Sequence, residues 1–157
     1  MNDTNGVVKT KLVTQVGFIV KDIEVTKAKW AQFLGVTPPP TVGCGDYAVT
    51  QTTFNGQPAP EATAKLCFFD VGPGLQLELI EPNEAPSTWR NYLNEHGEGP
   101  HHLAFAVKGM KDAVAACEAF GGKLEQAGEY GSGDGRYAYV NMNDSLKVLV
   151  ELLESDK

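Results

Sequence analysis

Polar and apolar residues alternate along "QVGFIV" (15–20). Val16, Phe18 and Val20 fall on one side and Gln15, Gly17 and Ile19 on the other, the period of two expected of a half-buried strand. Lys21-Asp22 then opens an amphipathic helix that runs through about Phe33, and Gly35 is placed to cap it. The same succession returns at 102–122. Leu103, Phe105 and Val107 oppose His102, Ala104 and Ala106, a helix is predicted from about Lys111 to Phe120, and Gly121-Gly122 ends it. Laid over each other at a constant offset of 87, segments 15–35 and 102–122 share six identities in 21 positions: Phe18/Phe105, Val20/Val107, Lys21/Lys108, Ala28/Ala115, Phe33/Phe120 and Gly35/Gly122. Chance would give one or two. The chain repeats itself, and the repeat governs the fold.

The segments after the two helices are parallel as well. Three strand-like runs, 47–54, 64–71 and 75–82, come after the first helix; "KLEQAG", 136–142 and 146–154 come after the second. The closing runs match, Glu78-Leu-Ile-Glu81 against Glu151-Leu-Leu-Glu154. The predicted organisation is a tail (1–12), a βαβββ module (13–82), a connector with a short helix over Thr88 to Glu95 (83–99), and a second βαβββ module (100–155). The fold class is α+β. Two such modules side by side make a U-shaped mixed sheet around a cleft, with side chains converging on the concave face from both halves.

Composition narrows the partners. A formal charge of −7, without a Lys/Arg cluster, excludes a nucleic-acid surface. No apolar run has the length of a membrane span, and "MNDTNGVVKTK" lacks the apolar core of a signal peptide. The three cysteines, Cys44, Cys67 and Cys117, are widely spaced with no CxxC, and read as reduced thiols of a cytoplasmic protein.

The repeat selects the chemistry. His102 takes the place of Gln15 at the start of each module's first strand, and Glu151 takes the place of Glu78 on each module's last. A pseudo-twofold axis between modules would bring these four into one ring. One imidazole, two carboxylates and an amide oxygen suit a borderline-to-hard divalent cation: Zn, Ni, Co, Mn or Fe(II). Strand alternation aims His102 inward and sends His101 away or to the rim. Glu81 and Glu154 lie at strand ends, where solvation accounts for them. Trp89 is either core or an interface anchor, and Arg136, after the glycine-rich "GSGDG", is a candidate contact for an anionic substrate.

"QVGFIVKD", "LQLELIEP", "GPHHLAFAV" and "VLVELLE", in that order on a repeated βαβββ pattern, resemble the vicinal oxygen chelate superfamily over residues 13 to 154. Its members include glyoxalase I, methylmalonyl-CoA epimerase, extradiol dioxygenases and bleomycin-resistance proteins. The resemblance implies metal ligation by Gln15, Glu78, His102 and Glu151, although many relatives carry His where Gln15 stands. Segment 78–105 looks most like methylmalonyl-CoA epimerase, and Pro60-Glu61 resembles the epimerase region that supplies a second acid/base carboxylate. Glyoxalase I fits less well, because Ile19 stands near the place of its glutathione-holding Arg.

The implied activity is that of a divalent-metal lyase or isomerase acting on a small carbonyl compound or its thioester. Glu151 would remove the proton beside the carbonyl, and Glu61 or Glu78 would return one. The contrasting expectation is a metal-free binding protein of the bleomycin-resistance type. A homodimer is expected by analogy with relatives. Extradiol dioxygenase chemistry would need a second cleft histidine at Gln15.

Overall fold

The computed structural model describes residues 5–157. Its elements in chain order are β1 (Val13–Ile19), α1 (Ile23–Leu34), β2 (Val42–Gly43), α2 (Tyr47–Thr50), β3 (Thr53–Phe54), β4 (Gln57–Pro58), β5 (Ala64–Gly72), β6 (Leu75–Pro82), α3 (Thr88–His96), β7 (Gly99–Ala106), α4 (Met110–Ala119), β8 (Lys123–Glu129), β9 (Gly135–Asn141) and β10 (Leu149–Ser155). All ten strands join one curled mixed sheet, ordered β2-β5-β6-β1-β7-β10-β9-β8-β3-β4.

The sheet is symmetric about its middle. β1 pairs parallel with β6 and β7 parallel with β10, and the two central strands, β1 and β7, meet antiparallel. β5 lies antiparallel to β6 as β9 does to β10. The apolar side of each half carries its own helix. α1 covers Cys67, Phe69, Leu77 and Leu79 with Ile23 and Ala31, and Phe18 and Trp30 join this cluster. α4 covers Val140, Val150 and Leu152 with Ala113 and Cys117. Each fully buried Leu, Ile or Val in these layers contributes roughly 1.5–3 kcal/mol. A third cluster (Ile19, Ala64, Ile80, Trp89, Leu93 and Tyr139) lies on the opposite, concave side, where α3 packs into the half-barrel.

Glu81 and Glu154 do more than meet solvent. Glu81 Oε1 accepts from the Ile23 N–H at 2.9 Å, and Glu154 accepts from the N–H groups of Gly109 and Met110. In each half the last strand thus ends on the free N–H groups of that half's helix, where a carboxylate is favoured. The repeat recurs at this level too.

Residues 47–54 do not form the expected strand. Asp46 Oδ1 accepts from the Ala48 N–H, the Val49 and Thr50 N–H groups return to the Asp46 carbonyl, and the segment begins as a helical turn. β2 replaces it against β5, and the chain then passes from that edge of the sheet to the far one, where β3 pairs with β8. This passage is close enough that a Cβ on Gly45 would lie 2.5 Å from the Gly131 Cα. Apolar residues at 47, 48 and 49 read as strand, but a good N-cap and a long-range pairing partner decided otherwise. Among the described residues no helix is long and apolar enough to cross a membrane.

Candidate metal centre

The four central strands, β6, β1, β7 and β10, send Glu78, Gln15, His102 and Glu151, in that order, to the concave side. Two small residues clear the space between them. Gly17 is the register partner of both Glu78 and His102, and Ala104 is the partner of both Gln15 and Glu151. Gly17 and Ala104 are themselves repeat equivalents at the offset of 87. The His102 ring lies directly over Gly17, where an added Cβ would come within 2.0 Å of Cε1. Glycine inside a strand often marks such a close approach.

The donors converge. His102 Nε2 stands 3.0 Å from Glu151 Oε2, 3.4 Å from Glu78 Oε1 and 3.4 Å from Gln15 Oε1. All four residues are buried, Glu78 and Glu151 each 5% exposed and His102 1%. Burial alone would push the His102 pKa down, but the Glu151 carboxylate and then Glu78 outweigh it and hold the pKa up at about 10. His102 is therefore a cation at neutral pH in the metal-free protein. Burial, then the like charge of Glu151, raises Glu78 against the opposing hydrogen bond to His102.

Gln15 has two settings. With its oxygen towards His102, its Nε2 meets Gln76 Oε1 at 3.5 Å. Turned over, its amide nitrogen donates to Glu78 at 3.2 Å and Glu151 at 3.0 Å. Two carboxylates favour the second setting, and a cation among them would favour the first.

The residues fit a divalent ion. Donor atoms of Glu78, His102 and Glu151 lie within 4.8 Å of one another. Ligands bound at about 2.1 Å stand about 3.0 Å apart around an octahedral centre and about 3.4 Å around a tetrahedral one, and the separations from His102 Nε2 are 3.0 and 3.4 Å. Two buried anions against one imidazole also leave the site short of positive charge.

Residues 14–140 match the family described as the Glyoxalase/Bleomycin resistance protein/Dioxygenase superfamily. The chain belongs to that superfamily. The uncharacterized protein YqjC of Bacillus subtilis (strain 168) is 30% identical over 95 residues, covering 60% of this chain and 67% of its own length. Among solved structures, a hypothetical protein of Bacillus halodurans C-125 superposes with a TM-score of 0.65 at 20% identity, covering 93% of this chain and 95% of its own. Methylmalonyl-CoA epimerase from Mycobacterium tuberculosis superposes with a TM-score of 0.62 at 21% identity, covering 96% and 91%. These two likenesses show the superfamily fold.

Gln15, Glu78 and Glu151 line a cavity of about 460 Å³ whose walls include Leu66, Phe68, Trp89, Tyr130, Tyr137 and Tyr139. Trp89 is core as well as wall, its Nε1 donating to the Tyr139 hydroxyl at 3.0 Å. Glu61 is not brought to the site. It is exposed in the turn before β5, held by Asn83 donating to its main-chain oxygen, and absent from the cavity lining. Arg136 is taken up by Glu154, Asp156 and Glu129 and does not line the cavity.

His101 breaks the strand alternation. β1–β7 pairing slips between Gly17/His102 and Phe18/Pro100, which leaves His101 as the extra residue of a β-bulge. Instead of pointing away, it is buried with Nδ1 3.0 Å from His102 Nδ1. Burial, then the charge of His102, takes its pKa well below the ordinary value, so it stays neutral. Pro100 was the available signal, since proline within a sheet is confined to edges, strand starts and bulges.

Proposed function

We propose that the protein is a divalent-metal lyase or isomerase of the glyoxalase superfamily, methylmalonyl-CoA epimerase-like or lactoylglutathione lyase-like in its chemistry. The observation that carries this reading is the convergence of Gln15, Glu78, His102 and Glu151 beside a cavity walled by aromatic rings. Those four residues would hold the ion. Bound there, a divalent ion supplies Lewis-acid stabilisation of negative charge developing on a carbonyl oxygen.

The rest falls to the chain. Trp89, Tyr137 and Tyr139 shape a mostly apolar wall that seats the substrate and limits water. A carboxylate oxygen of Glu151 takes the proton from the carbon beside the carbonyl. Of the two carboxylates expected to return one, Glu78 lines the cavity and Glu61 does not, and the role falls to Glu78. Among the described residues the lining includes no lysine or arginine, so a carboxylate on the reacting fragment would have only the ion to meet it. We expect a small carbonyl compound or a thioester whose charged carrier stays outside.

A second reading has one observation in its favour. Among the described residues no buried side-chain polar atom lacks a hydrogen-bond partner, and the turned-over Gln15 amide with the His102 cation satisfies both carboxylates without an ion. A metal-free binding protein of the bleomycin-resistance type would need no more. Protein purified without chelator separates the two. Bound metal, and a melting temperature raised by Ni, Co, Zn or Mn in wild type but not in His102→Ala, support the enzyme reading; their absence refutes it. Deuterium uptake from solvent into methylmalonyl-CoA or a hemithioacetal identifies the substrate type.

A further inference from the structure

His101 stands outside the ring of four donors, yet both its nitrogens are engaged. Nε2 lies 3.2 Å from Thr88 Oγ1 and Nδ1 lies 3.0 Å from His102 Nδ1. The far end of this chain of contacts dictates where each hydrogen sits. Glu125 Oε2 accepts from the Asn141 amide at 2.8 Å, which turns Oε1 to Thr88. A carboxylate has no hydrogen to give, so the Thr88 hydroxyl donates to Glu125 Oε1 at 2.9 Å. With its single hydrogen engaged there, Thr88 Oγ1 accepts from His101 Nε2. His101 therefore carries its hydrogen on Nε2 and presents a lone pair at Nδ1. Across the 3.0 Å contact, His102 Nδ1 must be the donor.

We infer that Glu125, Thr88 and His101 form a positioning relay that fixes His102 with its hydrogen on Nδ1, so that the Nε2 lone pair is the one offered to an ion held with Gln15, Glu78 and Glu151. The inference rests on the metal-centre reading of that ring. A ligating imidazole needs its other N–H held to set its tautomer and orientation, and here a second imidazole, itself oriented, is the acceptor.

The backbone is bent to build this relay. His101 is the extra residue of the bulge in β7. Glu125 is the extra residue of another, where the β8–β9 register shifts between Leu124 and Gln126. Bulges re-aim side chains, and both point theirs at Thr88. Thr88 is fixed in turn, its N–H donating to Gln126 Oε1 at 2.9 Å at the start of α3. Among their hydrogen bonds, those of Thr88 and Glu125 reach none of the four ring residues. Their influence runs through His101.

The test uses the full-length, metal-stripped protein and Co²⁺ as probe. Thr88→Val keeps the shape and removes the hydroxyl; Thr88→Ser keeps the hydroxyl. Long-range ¹H–¹⁵N spectra read the imidazole tautomers, and calorimetry reads Co²⁺ affinity. We expect His101 protonated on Nε2 alone in wild type and Thr88→Ser. Co²⁺ affinity should fall about 10–100-fold in Thr88→Val and stay near wild type in Thr88→Ser. A His101 hydrogen on Nδ1 in wild type, or undiminished Co²⁺ affinity in folded Thr88→Val, overturns the relay. Should Thr88→Val fail to fold, His101→Asn, with an oxygen in the place of Nδ1, should keep Co²⁺ binding that His101→Leu loses; equal affinities overturn the relay. Wild type that takes up no Co²⁺ overturns the metal centre instead, and the His101 tautomer then decides the relay by itself.

Discussion

Replacing Gly17 with alanine puts a methyl group under the His102 ring. The new Cβ would stand 2.0 Å from Cε1, 2.4 Å from Nδ1 and 2.5 Å from Nε2, where non-bonded atoms settle at about 3.5 Å. Gly17 has no positive φ, so the backbone accepts alanine and the conflict falls on the ring. Swinging aside by more than 1 Å or so takes Nε2 out of reach of Glu151 and Nδ1 out of reach of His101, both now at 3.0 Å. Overpacking costs about 1–3 kcal/mol, and parting a buried ion pair about 3–5 kcal/mol. The stiffer unfolded chain returns only about 0.4–1 kcal/mol. Once the ring has swung aside the overlap is relieved, so the parted pair less the unfolded-state term sets the net loss, about 2–5 kcal/mol. Denaturant unfolding of metal-free wild type, Gly17→Ala, His102→Ala and the double variant measures it. Without the ring, Gly17→Ala should cost nothing, giving a coupling of about 2 kcal/mol or more. Additivity within about 0.5 kcal/mol would refute the account of why glycine stands there.

The same geometry has other consequences. His102 is held up at about 10 when folded against about 6.5 when unfolded. Its pairing therefore stabilises the metal-free protein fully below about pH 6.5 and is lost as pH rises through about 10; melting curves should show this decline in wild type and not in His102→Gln. Tyr139→Phe removes the partner of Trp89 Nε1 and should cost about 1–3 kcal/mol, read by tryptophan fluorescence during unfolding. Glu61→Gln should leave Co²⁺ affinity and proton exchange unchanged, since the side chain lies on the surface; a loss of exchange would restore it to the reaction.

The sequence by itself determined the repeat, and with it most of the architecture. Strand alternation and helix caps are local physics, legible wherever one face is apolar and the chain turns at glycine or aspartate. The repeat also paired Gln15 with His102 at the offset of 87, and the matching closing strands paired Glu78 with Glu151, because two copies of one module meeting head to head must place equivalent residues around a common axis. Tertiary structure decided the places where local rules break. Residues 47–50 became a helical turn because β3 found its partner on the far edge of the sheet, a pairing that no local pattern encodes. His101 and Glu125 turned towards Thr88 because a bulge shifts the register by one, and one residue is enough to carry a side chain to the other face. Gly17 showed in the sequence only as a missing side chain. That the absence is filled by an imidazole from a strand 85 residues away is a fact of packing.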